Sequence, residues 1–188
     1  HLLDRLALPM VIKPASGGSS IGMSIVTDED TLPAALKMAF DEDAVVSAET
    51  CLIGIELTGG VLGNDDMQAL PLIEIIPDKA FTFFDYKAKY TPGATEEICP
   101  ARVDPGLAER AQSYALAAHQ ALCCRGYSRT DMIAVERDIF VLETNTIPGM
   151  TATSLYPQAA AAAGIPFGPL LDRLIELALA DHQRRKHT

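Results

Sequence analysis

The sequence predicts an α+β fold, with helices packed on largely antiparallel strands. Two short apolar runs, Met132 to Val135 and Ile139 to Leu142, flank the polar tripeptide Glu136-Arg137-Asp138, which is the pattern of a β-hairpin. A second pair of short strands, Met10 to Ile12 and Met23 to Val26, is joined by a loop of small residues. The helical segments do not alternate regularly with these strands, which argues against a doubly wound parallel sheet.

Taken in order, the first strand ends at Lys13-Pro14, where proline stops ladder pairing. The loop Ala15-Ser16-Gly17-Gly18-Ser19-Ser20-Ile21-Gly22 leads to the second strand. Asp30 or Thr31 is expected to cap a helix from Leu32 to Phe40, with Leu32, Ala35, Leu36, Ala39 and Phe40 at helical spacing. Strands follow at Val45 to Glu49, Ile55 to Leu62 and Ala69 to Ile76, and then a long irregular stretch from Pro77 to Pro100. Loops of that length inside a compact domain usually serve function. Asp104 and Pro105 open a helix expected to reach Cys124, with Leu107, Ala111, Tyr114, Ala115, Ala118 and Leu122 inward and Gly126 just past its end. After the hairpin come an alanine-rich helix, Tyr156 to Ala163, stopped by Gly164, and a last helix from Phe167 to Ala180.

Composition narrows the function. The chain has 188 residues, 48% apolar and 21% charged, enough for one large or two small domains. Its net charge of −10 argues against nucleic acid as a partner. The basic triplet Arg184-Arg185-Lys186 reads as a frayed helix end that complements the macrodipole. No apolar run has the roughly 18 residues of a membrane helix, and no leader pattern opens the sequence. No membrane partner and a cytoplasmic location are therefore expected. Cys51, Cys99, Cys123 and Cys124 lack zinc-ligand spacing and read as reduced core or near-core thiols. None of the four histidines reads as catalytic. The chain starts with His1 and enters an apolar strand within ten residues, as a piece of a longer protein would.

The hairpin carries the first chemical signal. With a turn centred on Arg137, Asp131 lies opposite Glu143 and Arg129 opposite Asn145, all four on one strand face. Two carboxylates, an amide oxygen and a guanidinium in one patch suit Mg²⁺ carried by nucleotide phosphates; a solvated hairpin face is the alternative. Upstream, Lys13 before a Gly/Ser loop is not a P-loop, because the lysine precedes the glycines. Its physics is related all the same. A point charge at a strand end and approachable backbone N–H groups suit phosphate; alone the pattern reads first as a glycine-rich hairpin, and joined to the downstream acidic residues as a nucleotide site.

Five segments occur in register: Lys13 to Gly22, Asp85 to Tyr90, Cys99-Pro100-Ala101, Gly126 to Asp131, and Glu143-Thr144-Asn145-Thr146-Ile147-Pro148-Gly149-Met150-Thr151. Together they resemble the D-alanine–D-alanine ligases, ATP-grasp enzymes of peptidoglycan synthesis, over nearly the whole chain. The resemblance implies an ATP-grasp fold. Residues 1–57 would be part of the central subdomain and 58–188 the C-terminal subdomain, with the family's N-terminal domain missing.

The resemblance also implies ATP and two Mg²⁺, with Mn²⁺ as a possible substitute. Asp131, Glu143 and Asn145 would be the metal ligands. Lys13 would contact the phosphates, Ser19 and Ser20 would fold over the γ-phosphate, and Glu49 and Leu52 would lie near the adenine. Glu56 would bind the ribose, Lys89 would touch the transferred phosphate, and Tyr90 would help close the site. Arg129 and the Gly149 N–H would stabilise the oxyanion, and Ser154 would hold the carboxylate of the second D-alanine. For Ser154 the structural alternative is a helix N-cap, and for Gly149 a turn its backbone demands. A homodimeric parent protein is implied as well.

Thr50 stands where the family usually has an adenine-framing lysine. A glutamate for the first D-alanine belongs to the missing N-terminal domain, so this chain alone is expected to be inactive. D-alanine–D-lactate or D-alanine–D-serine ligases are the near alternative, which Lys87-Ala88-Lys89-Tyr90 disfavours. A non-catalytic nucleotide-binding module is the distant one.

Overall fold

The computed structural model describes residues 2–77 and 95–186. They form two compact units, one of residues 2–53 and one of Gly54–Ile76 with residues 96–186. Lys89, Tyr90 and most of the long stretch from Pro77 to Pro100 lie outside the described residues.

In the first unit, β1 (Met10–Pro14) pairs antiparallel with β2 (Ser24–Val26) and β3 (Val46–Thr50), giving the order β2-β1-β3. Strand alternation turns Met10 and Ile12 inward, where they meet Val26 and the small residues Ala35 and Ala39 of α1 (Leu32–Glu42). Phe40, expected inward, is exposed, because Ala35 and Ala39 already line the seam four residues apart. Thr31, one of the two expected caps, takes the N-cap position of α1, but its side chain makes no capping hydrogen bond. The Asp28 carboxylate accepts from the Thr31 N–H at 3.1 Å, closing a 3₁₀ turn (Glu29–Thr31) that feeds α1.

The second unit is built on a six-stranded sheet. Along β7 (Thr95–Ile98), β6 (Ile73–Pro77), β4 (Ile55–Gly63), β8 (Gly126–Val135) and β9 (Asp138–Asn145) the strands are neighbours in that order, and β5 (Gln68–Ala69) pairs with β4. The single strand expected at 69–76 is thus two. Pro71 stands between them, where it has no N–H to donate.

One sheet face is covered by α2 (Pro105–Ala121). Its Leu107, Ala111 and Ala115 pack on Leu57, Val61, Leu72, Met132 and Ala134. The helix comes close because β4 carries Gly59, where a Cβ would lie 3.0 Å from the Ala115 Cβ. The buried stripe continues to His119, whereas Tyr114 and Leu122, expected inward, are exposed. Steps of four residues follow one helix face, and Tyr114 and Leu122 fall beside it. The helix stops short of Cys124. Cys123 takes φ 53°, its N–H bonds to the Gln120 carbonyl, and the Cys124 N–H bonds to the His119 carbonyl. That pair of bonds is the Schellman ending, made here by a cysteine in place of a glycine. Cys123 is exposed and the other three cysteines are half-buried; all four are free thiols.

The opposite sheet face receives α3 (Leu155–Ala162) at one end, where the Tyr156 hydroxyl donates to the Val61 carbonyl at 2.9 Å. The last helix, α4 (Phe167–Lys186), runs six residues beyond the expected Ala180. Its final turn is not frayed, because the buried Asp181 accepts from Arg184 and Arg185 of the same helix and from Arg125. Among the described residues no helix is long and apolar enough to cross a membrane.

A second ion pair gives a pH test of this unit. The buried Glu74 receives Arg102 through Nε and Nη2, both at 3.1 Å, and its backbone N–H as well. These donors hold the Glu74 carboxyl below its ordinary value of 4.5, the Arg102 side chain first. A carboxyl with a depressed folded pKa adds stability above its unfolded pKa and loses it as pH falls through the folded one. Urea midpoints are accordingly expected to fall below about pH 4.5, with a shallower fall in Glu74→Gln. An equal pH dependence in the two proteins would contradict this.

Candidate functional site

The hairpin forms as two tightly joined strands whose turn is Glu136-Arg137, with Val135 paired to Asp138 and Glu136 at φ 53°. A two-residue turn puts Met132 opposite Val141. Between Met132 and Asp131 the register shifts, so that Asp131 faces Glu143 and Arg129 faces Asn145. The shift is a β-bulge at Leu142, and it reverses the phase of β9. Below the bulge Ile139 packs toward α2, whereas beyond it Glu143 and Asn145 share the opposite face with Arg129 and Asp131. In β8 alternation is unbroken, with Ser128, Thr130, Met132 and Ala134 buried and Arg129 and Asp131 turned to the open side.

On that open face Asp131 is the hub. The Arg129 guanidinium donates Nε to Oδ1 at 2.9 Å and Nη2 to Oδ2 at 2.8 Å, a bidentate fork. Asn145 Nδ2 donates to Oδ2 at 3.1 Å. A fourth donor comes from β4, whose Thr58 hydroxyl lies 2.7 Å from Oδ1. Thr58 is the register partner of Asp131 and Glu56 that of Ile133, so the half-buried Glu56 lies on this same face, one β4 pleat away. Glu143 stands exposed opposite Asp131. Sequence reasoning had Glu56 and passed over Thr58, although a hydroxyl two residues along the strand must share its face.

The segment after β9 brings Gly149 and Ser154 together. The Ser154 hydroxyl accepts the Thr151 N–H at 3.1 Å and lies 2.8 Å from the Thr151 hydroxyl. A Cβ on Gly149 would sit 3.0 Å from that Ser154 oxygen. Ser154 occupies the N-cap position of α3, yet its side chain makes no capping hydrogen bond and turns back to the loop. Gly149 is not held in the left-handed region, so its backbone is not what demands a glycine; the close approach of Ser154 is.

In the first unit Lys13 and Glu49 lie on the sheet face away from α1, where Lys13 Nζ and Glu49 Oε1 are 2.8 Å apart. Lys13 is half-buried and Glu49 exposed. The loop after β1 starts with the Ser16 N–H bonded to the Asp43 carboxylate at 2.7 Å. N–H groups of Val45 and Ser16 hold Asp43 below the usual carboxylate range. Ser19 and Ser20 follow at φ 55° and 58°, conformations that cost non-glycine residues energy and concentrate at ligand clamps. Gly22, at φ 73°, closes the loop where a Cβ would lie 2.9 Å from Pro14 and Glu42 side-chain atoms. Leu52 is half-buried just after β3.

The donor types are those a magnesium ion takes, although both Asp131 oxygens here accept hydrogen bonds from Arg129, Thr58 and Asn145. Asp131, Glu143 and Asn145 supply two carboxylates and an amide from adjacent positions of one face. Among the described residues no group of three or more His, Cys, Asp or Glu is placed so that it could hold a metal ion. The protein therefore offers a partial ligand set of hard oxygens, the kind that Mg²⁺ completes with water and phosphate oxygens.

Comparison with known proteins identifies the family and the fold. The family described as D-ala D-ala ligase C-terminus matches residues 1–176. The D-alanine–D-alanine ligase of Syntrophobacter fumaroxidans is 66% identical over 178 residues, covering 95% of this chain and 57% of the relative. That of Desulfotalea psychrophila is 54% identical over 188 residues, covering 99% and 58%. Among solved structures, D-alanine–D-alanine ligase from Bacillus anthracis complexed with ATP superposes with TM-score 0.80 at 36% identity, covering 97% of this chain and 56% of that one. The VanG D-Ala:D-Ser ligase from Enterococcus faecalis gives TM-score 0.82 at 37% identity, covering 94% and 51%. The chain thus spans less than three-fifths of the length of these relatives. With its antiparallel sheets, packed helices and a family match over residues 1–176, the chain belongs to the D-alanine–D-alanine ligase C-terminal family and has the ATP-grasp fold.

Proposed function

We propose that the protein joins two D-alanines to D-alanyl-D-alanine at the expense of ATP, as a step of peptidoglycan precursor synthesis in the cytoplasm. The observation that carries this reading is the face on which Arg129 forks onto Asp131 opposite Glu143 and Asn145. A carboxylate is a poor acyl donor. One carboxylate oxygen of the first D-alanine attacks the γ-phosphorus of ATP, ADP leaves, and an acyl phosphate forms. The amine of the second D-alanine then attacks the acyl carbon, loses a proton, and inorganic phosphate departs.

Each residue has a part in these two steps. Lys13 neutralises phosphate charge and the Ser19-Ser20 loop covers the γ-phosphate. Glu49 and Leu52 flank the adenine, and Glu56 takes the ribose hydroxyls. Asp131, Glu143 and Asn145 would hold Mg²⁺, which when bound offsets the charge of the phosphate oxygens. Arg129 and the Gly149 N–H donate to the oxygen that becomes negative as the amine adds. Ser154 holds the carboxylate of the second D-alanine, consistent with a hydroxyl turned to the Gly149–Thr151 loop instead of capping its helix. Lys89 touches the transferred phosphate, and Tyr90 helps close the site so that the acyl phosphate is kept from water. Following the family resemblance, the working protein is a homodimer. Complete turnover is proposed for the longer protein and not for these 188 residues alone.

A D-alanine–D-serine ligase is the second reading, favoured by the likeness to the Enterococcus enzyme. The higher identity to D-alanine–D-alanine ligases supports the first. Offering D-alanine together with D-serine or D-lactate, at neutral and low pH, and identifying the products by mass spectrometry tests the choice. D-alanyl-D-alanine is expected to dominate; a predominant mixed product would overturn the assignment.

A further inference from the structure

We propose that Thr58 is a positioning residue that fixes the orientation of the Asp131 carboxylate for its cation; this rests on the ligase reading above. The carboxylate of Asp131 carries two donors on each oxygen. Thr58 Oγ1 and Arg129 Nε lie on Oδ1, and Arg129 Nη2 and Asn145 Nδ2 on Oδ2. Two oxygens offer about four lone-pair sites, so the acceptor is saturated. A cation can reach Asp131 only when one of these donors withdraws.

Three of the four donor contacts come from groups with work elsewhere. Arg129 is assigned to the oxyanion, and Asn145 must turn its amide oxygen toward a cation instead of its nitrogen toward Asp131. The Thr58 hydroxyl has no such second task. Its side chain is 2% exposed, and its other acceptor within reach, the Thr130 carbonyl, is at 3.4 Å against 2.7 Å for Asp131 Oδ1. Branching at Cβ restricts its rotamer, so the hydroxyl stays where the strand puts it. Thr58 therefore anchors Oδ1 while the partners of Oδ2 exchange, and Oδ2 becomes the oxygen offered to the cation. Partners of this kind behind a metal ligand are worth roughly 10–100-fold in metal affinity.

Mn²⁺ binding to the full-length protein in saturating ATP, read by the electron paramagnetic resonance of the ion, tests this alongside thermal denaturation. Thr58→Val keeps the shape of the side chain and removes the donor; Thr58→Ser keeps the donor. The valine variant is expected to bind Mn²⁺ about 10-fold more weakly or worse, and the serine variant to recover most of that loss. Native Mn²⁺ affinity in the valine variant would overturn the assignment, whatever its melting temperature, because it would leave Thr58 a purely structural role. So would a serine variant as weak as the valine one. Failure of the unaltered protein to bind Mn²⁺ with ATP would instead remove the ligase reading, and this assignment with it.

Discussion

Replacing Glu143 by glutamine is expected to lower ligation by about three orders of magnitude, the effect of losing several kcal/mol of charge stabilisation in phosphoryl transfer. The fold is expected to survive. Glu143 lies on an edge strand with its side chain exposed, so the change removes no core packing. Glutamine keeps the size and one oxygen but loses the charge, which separates the electrostatic part from the steric one. Rates of D-alanine-dependent phosphate release, measured beside circular dichroism and thermal denaturation, check both halves. Near-normal turnover would exclude Glu143 from the metal site.

Arg129→Lys is expected to cost about 10²–10³ in turnover, the usual loss when a donor to a developing oxyanion is removed. Lysine retains the charge but not the planar fork, so it cannot make the paired contacts at 2.9 and 2.8 Å. A second consequence is structural. Asp131 has about a fifth of its side chain exposed and would lose two of four donors, with a destabilisation of about 1–2 kcal/mol. Substrate KM for ATP and the unfolding midpoint are both expected to move, in contrast to Glu143→Gln, where the midpoint stays. Unchanged turnover in Arg129→Lys would mean that a point charge is sufficient there.

The pairing of Asp131 with Glu143 and of Arg129 with Asn145 was legible in the sequence, but for a reason that was only half right. A turn centred on Arg137 places those residues opposite one another; the chain instead turns on two residues and recovers the pairing through the bulge at Leu142. Hydrophobic alternation cannot announce such a bulge, because Phe140, Val141 and Leu142 are all apolar and all substantially exposed. Helix ends were less legible for a similar reason. Cys123 in the left-handed region is an outcome of backbone bonding that residue preference does not favour, and Asp28, a favoured cap, closes a 3₁₀ turn just ahead of the expected helix start. His119 was passed over because a histidine reads as polar, yet it is fully buried with Nδ1 2.7 Å from the Ser128 hydroxyl. Burial first, and then the Arg125 charge, hold its pKa below the ordinary value. Thr58 escaped notice because threonine is a common strand residue; only the register with Asp131 gives its hydroxyl a task.

The central claim is that this chain carries the magnesium and second-substrate side of a D-alanine ligase. Phosphate release from ATP and Mg²⁺, followed with and without D-alanine in the protein bearing its upstream residues and in these 188 residues alone, tests it most directly. The expected result is D-alanine-dependent release, with D-alanyl-D-alanine as product, in the longer protein and none in the shorter chain. Silence of both would contradict the ligase assignment, and full activity of the short chain would contradict the view that the first D-alanine is held by residues outside it.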